Sequence, residues 1–483
     1  MAKHLRQLVS ESAVYGLGGT VTRFLSVFLI PVYTRIFTPE DYGVMSLINS
    51  TMIIISIFVV LALDNSASRW YWDSEETGHR KETIASWAWC QIILSTIVAI
   101  AIWFAADELG NQIVRRSDAG SYFRLAAFTL PLGVLGAVVT SWLRLRRKPW
   151  VTVAFMLVTN LLTMLLTILF VIYFRWGLSG IYWAQIISLL VGSVISLCLL
   201  RDWVNPEHFR WARLREMLRF AFPLIPAALA FWIVNFSDRY FVQAYTSTEE
   251  VGLYQVGSSL AAFVALITSA FQQAWGPFAM SIHKQDDARQ VYANVFLAYL
   301  WLTSLICTAL TLFAPEAIRL LATQRYMGAT SVVSFLSFSY VMIGLGYIAA
   351  IGPAIARTSA PTGIAVTIAA VLNILFNFLL VPRMGKTGSA MATLLAQSMG
   401  PIILFYFAQR LYPIPYRFIT GAALLAFGGL VIWLGGSWQI DTIWLNLGWK
   451  ISLLLLFIPV LFLARIVTLS QLVRLFRPAP QSA

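Results

Sequence analysis

The stretch that decides the fold class is VTVAFMLVTNLLTMLLTILFVIY, residues 151–173, which contains no charged side chain. An α-helix rises about 1.5 Å per residue, so roughly 20 apolar residues cross the ~30 Å hydrocarbon core of a bilayer. We therefore predict that residues 151–173 form a membrane-spanning helix.

The rest of the chain has the same character. Of its 483 residues, 59% are hydrophobic and only 11% are charged, whereas soluble domains average about 25% charged residues. The sequence therefore predicts an all-α polytopic membrane protein and excludes a soluble enzyme, a nucleic-acid-binding domain or a secreted disulfide scaffold as the main architecture. About 14 transmembrane helices are predicted, at 12–36, 42–64, 83–106, 121–143, 151–173, 178–200, 218–243, 251–276, 290–314, 327–355, 361–382, 387–411, 417–437 and 444–466.

The distribution of Lys and Arg residues predicts how the chain is oriented in the membrane. The net charge is +13, and about two thirds of the 34 Lys and Arg residues lie in segments on the side of the N-terminus. Segments rich in Lys and Arg face the cytoplasm. Both termini are therefore predicted to be cytoplasmic. No nucleic-acid partner is expected, because membrane topology accounts for the positive charge.

Two short sequence matches indicate an internal repeat. TPEDYGV at 38–44 matches STEEVGL at 247–253, with an offset of 209, and RWGLSG at 175–180 matches RMGKTG at 383–388, with an offset of 208. This offset equals six predicted spans, an even number, so both halves would have the same orientation in the membrane. Such halves are related by a pseudo-twofold axis along the membrane normal.

The repeat predicts the domain organisation. We expect an N-terminal six-helix lobe at 1–200, a cytoplasmic amphipathic linker at 201–217 and a C-terminal six-helix lobe at 218–411. Two additional transmembrane helices and a cytoplasmic tail follow at 412–483. This duplication is typical of transporters that work by alternating access. A duplication that serves only packing is the alternative.

Enzyme signatures are missing from the sequence. Gly385-Lys386-Thr387 ends like a phosphate-binding P-loop, but the glycine required five residues earlier is replaced by Leu380. All four histidines lie in predicted cytoplasmic segments, so no metal site is expected at membrane depth. We predict a transporter without a cofactor or metal, driven by an ion gradient, the membrane potential or the substrate gradient.

Charged residues inside predicted spans are the main candidates for function, because each costs roughly 2.5–3.5 kcal/mol to insert. Arg23 lies near the middle of the first span, Asp64 ends the second, and Asp238 and Arg239 lie in the seventh. For Arg23 we favour a position facing a wet cavity and an anion. The alternative is a structural ion pair with Asp64 or Asp238, and both acidic residues are candidates for ion coupling.

Polar amides provide further candidates. Asn235 precedes Asp238, and Gln272 and Gln273 lie near the predicted cytoplasmic end of the eighth span. Amides in membrane helices bind sugars in some proteins, but more commonly they connect neighbouring helices.

Several motifs together resemble one family. They are Pro31–Arg35 followed by Thr38–Gly43, Leu63-Asp64 with Arg69–Tyr71, Asp238-Arg239, Glu250–Tyr254 and Ala274–Phe278. In this order and spacing they resemble the oligosaccharide flippases, the polysaccharide-transporter branch of the multidrug/oligosaccharidyl-lipid/polysaccharide exporter superfamily. The resemblance covers most of residues 1–410.

The resemblance implies a twelve-helix core of two six-helix lobes, with two extra C-terminal spans. It also implies a substrate, an oligosaccharide linked to undecaprenyl diphosphate, which is moved from the cytoplasmic to the outer leaflet of a bacterial cytoplasmic (inner) membrane. In this family a cationic central cavity receives the diphosphate. Arg23 best matches that role, followed by Arg239 and Arg69. Expected partners are the lipid-linked oligosaccharide, membrane lipid and a polysaccharide polymerase.

Three alternative functions are considered. A lipid II flippase handles the same lipid diphosphate, but more arginines at membrane depth would be expected in its first lobe. A multidrug or cation antiporter of the same superfamily would favour acidic cavity residues, against which Arg23 argues. A membrane glycosyltransferase or polymerase would present a sizeable outer loop or domain, and the predicted outer segments are short.

Overall fold

The structure is a computed structural model that describes Val14, residues 29–438 and residues 442–465. This part of the chain is almost entirely helical and contains no β-strand. Residues 29–36 are helical and precede α1. The helices are α1 (Pro39–Val60), α2 (Leu63–Trp72), α3 (Thr77–Leu109), α4 (Ala119–Leu145), α5 (Pro149–Ile168), α6 (Gly177–Leu200), α7 (Trp211–Ala221), α8 (Ile225–Phe236), α9 (Asp238–Tyr245), α10 (Thr248–Ile282), α11 (Ala288–Leu312), α12 (Ala314–Leu321), α13 (Thr330–Ala349), α14 (Ile351–Ile355), α15 (Ala360–Leu411), α16 (Phe418–Ser437), α17 (Ile443–Leu455) and α18 (Phe457–Leu463).

The described residues contain twelve helical segments that are long and apolar enough to cross a membrane. One of them, α15, has 52 residues, so it would extend about 78 Å at 1.5 Å per residue, more than two bilayer crossings. It covers two predicted spans, 361–382 and 387–411. The twelve segments therefore coincide with the second to fourteenth predicted spans, and the all-α polytopic class is confirmed. Most of the first predicted span lies outside the described residues.

The backbone of α15 changes direction at Gly385, where φ is 56° and ψ is −137°. This combination is essentially restricted to glycine. The corresponding residue of the internal repeat, Gly177, also has a positive φ of 60° and begins α6. The residues that align in sequence therefore share a left-handed backbone at the connection between two spans.

The helix α1 has well-defined ends. Its first turn is capped by Thr38, whose hydroxyl accepts from the backbone N–H of Asp41, while the Asp41 carboxylate accepts from the backbone N–H of Thr38. This reciprocal capping box, with Pro39 at the first helical position, fixes the start of the helix. The end is set by Leu61 and Ala62, both in the left-handed region with φ of 51° and 52°.

The predicted linker contains a short amphipathic helix. Residues 201–210 form turns with a 3-10 turn at Pro206–His208, and α7 begins only at Trp211. The helix buries Leu214 and Met217 in the same apolar cluster as residues of α2, α3 and α4. The hydroxyl of Ser66 donates to the carbonyl of Met217 at 2.9 Å, which fixes α7 against α2.

The seventh predicted span is interrupted twice. A 3-10 turn at Phe222–Leu224 separates α7 from α8, and Ser237 separates α8 from α9. Pro223 and Pro226 lie at the first interruption and cannot donate backbone hydrogen bonds, which explains the change of helix type there. The second interruption positions the charged residues described below.

The chain divides into two compact units. Of the described residues, unit 1 contains those up to Trp232, together with Val242–Gly252 and Leu321–Arg325. Unit 2 contains Ile233–Phe241, Leu253–Leu320 and the residues from Tyr326 onward. Each unit has its own buried apolar cluster, around Trp87 and Trp142 in unit 1 and around Trp275 and Phe296 in unit 2.

The C-terminal helices belong to unit 2. Helix α16 packs along α11, and Leu453 and Phe457 share an apolar cluster with Leu312 and Val431. The Lys450 ammonium lies 2.6 Å from a carboxylate oxygen of Glu316, at the start of α12. The last two predicted spans are thus attached by both apolar packing and an ion pair.

Candidate functional site

A buried carboxylate lies where the seventh predicted span is interrupted. Asp238 is the first residue of α9, and only 2% of its surface is exposed. The interruption places its negative charge at a helix N-terminus, where the helix dipole stabilises an anion. The hydroxyl of the preceding Ser237 donates to the carbonyl of Ile233 at 2.6 Å, a local bond of the kind that competes with regular helix.

Two hydroxyl groups bind one oxygen of this carboxylate. Asp238 Oδ2 accepts from the hydroxyl of Tyr254 in α10 and from Thr393 Oγ1 in α15 at 3.0 Å. The other oxygen, Oδ1, is buried and has no hydrogen-bond partner among the described residues. The carboxylate therefore joins three segments of unit 2 and keeps one oxygen available.

A chain of polar side chains continues from Thr393 through α15. Asn373 Nδ2 lies 3.5 Å from Thr393 Oγ1, and Asn377 Nδ2 donates to the backbone carbonyl of Asn373 at 2.9 Å. The Ser389 hydroxyl donates to Asn377 Oδ1 at 2.6 Å. Asn373, Asn377 and Ser389 are all completely buried. These buried contacts connect the two halves of α15, on either side of Gly385, with the carboxylate.

A buried guanidinium lies next to the carboxylate in sequence. Arg239 is 5% exposed, and its Nε and one terminal nitrogen donate to Gln255 Oε1 at 3.1 and 2.9 Å. The other terminal nitrogen donates to the carbonyl of Asn235 at 2.7 Å. The guanidinium carbon lies 5.2 and 5.8 Å from the ring centres of Phe236 and Tyr254, within the range of cation–π attraction.

A small cavity of about 30 Å³ lies among these groups. Asn235, Asp238, Arg239, Tyr254 and Thr393 are among its lining residues. A space of this size admits water or a small ion, and it is far smaller than ordinary small-molecule pockets. Arg239 could reach a diphosphate only if this cavity widened.

The structure thus brings together three of the predicted residues, Asn235, Asp238 and Arg239, in unit 2. Gln272 and Gln273 are exposed on α10, about 25 Å further along that helix than Gln255 by helix rise. These two amides do not join the cluster.

The remaining predicted residues lie elsewhere in the chain. Asp64 and Arg69 are exposed on α2 in unit 1. The guanidinium of Arg69 lies over the rings of Trp70 and Phe220, at 5.5 and 5.2 Å. Arg23 lies outside the described residues.

Sequence reasoning missed three members of the cluster, Tyr254, Gln255 and Thr393. Tyr254 ends one of the motifs that carry the family resemblance, and Thr393 is a lone polar residue in an apolar run. Neither pattern tells which face of an almost entirely apolar helix points inward. The three residues therefore become visible only in the packed structure.

The two repeated hairpins meet at a pair of glycines in unit 1. A Cβ added to Gly43 would lie 1.9 Å from the carbonyl oxygen of Thr248, and one added to Gly252 would lie 1.7 Å from that of Pro39. Pro39 and Gly43 are offset by 209 residues from Thr248 and Gly252, so the contact is reciprocal between the repeats. Backbones this close leave no space for any side chain.

Side-chain hydrogen bonds reinforce this contact. The carbonyl of Val114 accepts from Gln243 Nε2 at 2.9 Å and from Thr248 Oγ1 at 3.2 Å. Thr34 Oγ1 donates to the carbonyl of Leu321 at 3.1 Å. Segments far apart in sequence are thus joined at one end of unit 1.

An arginine stabilises the start of α1 nearby. Arg116 lies 2.8 Å from Asp41 and 2.7 Å from Asp118. Burial lowers the pKa of Arg116, but the hydrogen bonds to Asp41 and Asp118 and their negative charges outweigh burial and raise its pKa. Arg116 therefore stays charged at any physiological pH.

Comparison with known proteins identifies relatives in sequence. The family described as "Polysaccharide biosynthesis protein" matches residues 8–283, more than half of the chain. A Haemophilus influenzae protein named Lsg locus putative protein 1 is 21% identical over 287 residues, which cover 58% of this chain and 67% of that protein.

Solved structures share the fold. Lipid II flippase MurJ in an inward closed conformation superposes with a TM-score of 0.73 at 14% identity, over 94% of this chain and 100% of that one. An inward-facing multidrug resistance MATE family transporter of the MOP superfamily gives a TM-score of 0.63 at 18% identity, over 83% and 95% of the two chains. Family and fold confirm the prediction of a transporter rather than an enzyme.

Proposed function

Because the chain belongs to the polysaccharide biosynthesis protein family, we propose that it is a flippase for an undecaprenyl-diphosphate-linked oligosaccharide. It moves this lipid from the cytoplasmic to the outer leaflet of the bacterial inner membrane, with both of its termini in the cytoplasm. A polysaccharide polymerase would then use the sugar outside. A diphosphate-linked sugar cannot cross about 30 Å of hydrocarbon unaided, because its charges and hydroxyls would lose their hydration.

The observation that carries this proposal is the buried Arg239 within the seventh predicted span. A guanidinium at membrane depth is costly unless it serves a partner or a polar cavity. Arg239 provides positive charge for the diphosphate as the cavity beside it widens during transport. We propose that Arg23 and Arg69 provide further positive charge for the diphosphate. We propose that Asn235, Gln272 and Gln273 contact the polar headgroup.

Alternating access is supported by the reciprocal contact of Gly43 and Gly252. The two glycines have no side chains that interlock, so the contact can separate and re-form once the few side-chain hydrogen bonds beside it, such as those of Gln243 and Thr248 to Val114, break. We propose that it separates when the headgroup is released on the outer side. The structure, in which Gly43 and Gly252 are in contact, then corresponds to the state that takes up substrate from the cytoplasm.

Ion coupling is assigned to Asp238 rather than Asp64. Asp238 is buried and keeps one oxygen without a partner among the described residues, whereas Asp64 is exposed. Transport by Asp238→Asn should lose its response to an imposed proton or sodium gradient. If Asp238→Asn responds to both gradients as the wild type does, this assignment is wrong.

A lipid II flippase is the second candidate, because the MurJ structure superposes over nearly the whole chain. Both substrates carry the same lipid diphosphate and differ in the sugar. A multidrug or cation antiporter is disfavoured by the buried Arg239. A glycosyltransferase or polymerase is disfavoured because the described connections between spans contain only turns and short helices.

Transport in proteoliposomes tests the proposal. The fraction of lipid-linked sugar that is oxidised by externally added periodate reports movement between leaflets. We expect wild-type protein to move the undecaprenyl-diphosphate-linked oligosaccharide and Arg239→Gln to be slowed at least about tenfold, since a buried charge contact contributes 1.5–3 kcal/mol. Arg410→Gln is the matched control, because Arg410 also lies over a tyrosine ring but is exposed. Equal rates for the two variants would contradict the role of Arg239.

A further inference from the structure

A second, larger cavity lies within unit 1. Its volume is about 420 Å³, within the range of small-molecule pockets. It is lined by residues of α1 to α6. It lies near the C-terminal ends of α1 and α4 and the N-terminal ends of α3 and α5. Asp64 and Arg144 lie among its lining residues and are both exposed.

The backbone beside this cavity is strained. Val60 and Asp64 both line it, and two of the three residues between them, Leu61 and Ala62, have positive φ. Non-glycine residues cost about 1–2 kcal/mol each in this conformation. Gln91, which also lines the cavity, donates from Nε2 to the carbonyl of Val60 at 2.9 Å and so supports the strained turn. Strain that neighbouring groups maintain is common at binding sites.

A buried hydrogen-bond donor lies in the wall of this cavity. Trp87 lines the cavity and is 1% exposed, and its indole Nε1 has no hydrogen-bond partner among the described residues. Leaving a buried donor unsatisfied costs about 1–3 kcal/mol. Deep burial within the cluster of unit 1 holds Trp87 in position, and its Nε1 is covered by neighbouring atoms, so an acceptor in the cavity reaches it only when a neighbouring side chain moves.

The lining is mostly apolar, and its few polar groups can contact the hydroxyls of a sugar. Asp64 can accept from two neighbouring hydroxyls, and Arg144 can donate. The Thr140 hydroxyl gives its proton to the carbonyl of Gly136 at 2.7 Å, which leaves its oxygen as an acceptor. Phe155 adds an aromatic surface on which the apolar face of a sugar ring can stack.

Other parts of the substrate fit this lining poorly. The two charges, Asp64 and Arg144, cancel, so the cavity lacks the excess positive charge that a diphosphate requires. A polyprenyl chain would make no use of the polar groups of the lining, whereas a sugar contacts both these groups and the apolar surface of Phe155.

We propose that the unit 1 cavity binds a sugar residue of the transported lipid and thereby determines which oligosaccharide is accepted. This inference rests on the proposed function and assigns sugar recognition to a site separate from the Asp238–Arg239 cluster. The lipid diphosphate is bound elsewhere, so removing the sugar contacts should change selectivity and leave binding of the bare lipid diphosphate intact.

Two substitutions test the cavity. Gly133 lines the cavity, and an added Cβ would meet nothing within 4 Å, so Gly133→Leu should fill the space without a clash. Trp87→Phe removes the unpartnered donor together with one ring of the indole, at a fully buried position. Their matched controls are Gly429→Leu, at an open helical glycine of α16, and Trp142→Phe, at a buried tryptophan that also has an unpartnered Nε1.

The measurement compares two dissociation constants for full-length protein in nanodiscs. The probes are undecaprenyl diphosphate and the lipid-linked oligosaccharide extracted from a strain in which this gene is deleted. We expect the wild type to bind the lipid-linked oligosaccharide more tightly. Trp87→Phe should reduce that preference ~3- to 10-fold and Gly133→Leu should abolish it, with undecaprenyl diphosphate bound as before.

The outcomes separate a failure of the proposed sugar site from a failure of the proposed flippase function. If the wild type binds both probes equally, or if both cavity variants keep the wild-type preference, the sugar site is refuted while the flippase proposal stands. If the cavity variants weaken both probes to the same extent, the cavity is not a sugar site. If the wild type binds neither probe, the proposed function itself fails. Loss of preference in Gly429→Leu or Trp142→Phe would also overturn the assignment.

Discussion

At the scale of single residues, the hydroxyl of Tyr254 is one of two groups that satisfy the buried carboxylate of Asp238. The other is Thr393 Oγ1. A hydrogen bond to a charged group contributes more than one between neutral groups, and a carboxylate left without it keeps its full desolvation cost. The stability of the cluster should therefore depend strongly on this one oxygen atom.

Tyr254→Phe tests that dependence. We expect the free energy of unfolding to fall by about 1.5–3 kcal/mol, seen as a lower thermal midpoint of the purified protein. Tyr416→Phe is the matched control, because the Tyr416 hydroxyl is buried and has no partner among the described residues. Its removal should leave the midpoint unchanged or raise it. Equal decreases for the two variants would contradict the role of the Tyr254 hydroxyl.

Only part of the Asp238–Arg239 cluster could be predicted from the sequence. Asn235, Asp238 and Arg239 are close in sequence, so their proximity could be predicted. Tyr254 and Thr393 come from α10 and α15, which are apolar on almost every face. Without an amphipathic pattern, nothing in the sequence tells which face of such a helix points to the interior.

At the scale of elements, Gly385 divides the long helix α15 into two spans. Its φ of 56° and ψ of −137° lie in a region that a residue with a Cβ avoids. The sequence predicted two spans here because charged residues separate two apolar runs. It could not predict that helical hydrogen bonding continues on both sides of one glycine.

Gly385→Ala should therefore be strongly destabilising. We expect a loss of about 1–3 kcal/mol, measured as a lower thermal midpoint. Gly400→Ala, in the same helix, is the control, because its added Cβ meets nothing within 4 Å. Alanine is favoured over glycine within a helix by up to about 1 kcal/mol, so this variant should be neutral or more stable. A decrease as large in Gly400→Ala would show that the Gly385 backbone is not the cause.

The two repeated hairpins are in contact at Gly43 and Gly252. Alanine at either position would place Cβ within 2 Å of a carbonyl oxygen, so the two hairpins must separate. We expect Gly43→Ala and Gly252→Ala to expose Val251, which is fully buried in the wild type. A cysteine at position 251, in protein lacking its three native cysteines, should then react several-fold faster with an impermeant maleimide added to cells.

The control for this experiment is Gly78→Ala, at a glycine with open space around it. It should leave the labelling rate of the cysteine at 251 unchanged. If Gly43→Ala and Gly252→Ala also leave that rate unchanged, the glycine contact does not close this end of unit 1.

At the scale of the whole molecule, hydrophobicity alone predicted most of the fold. A span requires about 20 apolar residues, so its position is evident from the sequence. The interruption at Ser237 was not predicted, because serine is common within membrane helices and the break depends on local hydrogen bonds. The division into lobes at 1–200 and 218–411 and the orientation of the termini stay predictions.

The central claim is that the whole molecule moves a lipid-linked oligosaccharide across the membrane. The most direct test measures undecaprenyl-linked oligosaccharide and surface polysaccharide in a deletion strain, complemented with wild type, Arg23→Ala or Arg239→Gln. We predict that the deletion strain accumulates the lipid-linked sugar on the cytoplasmic leaflet and loses surface polymer, and that only the wild type restores both. Unchanged lipid intermediates together with an accumulation of toxic cations in the deletion strain would contradict the account and favour a drug exporter.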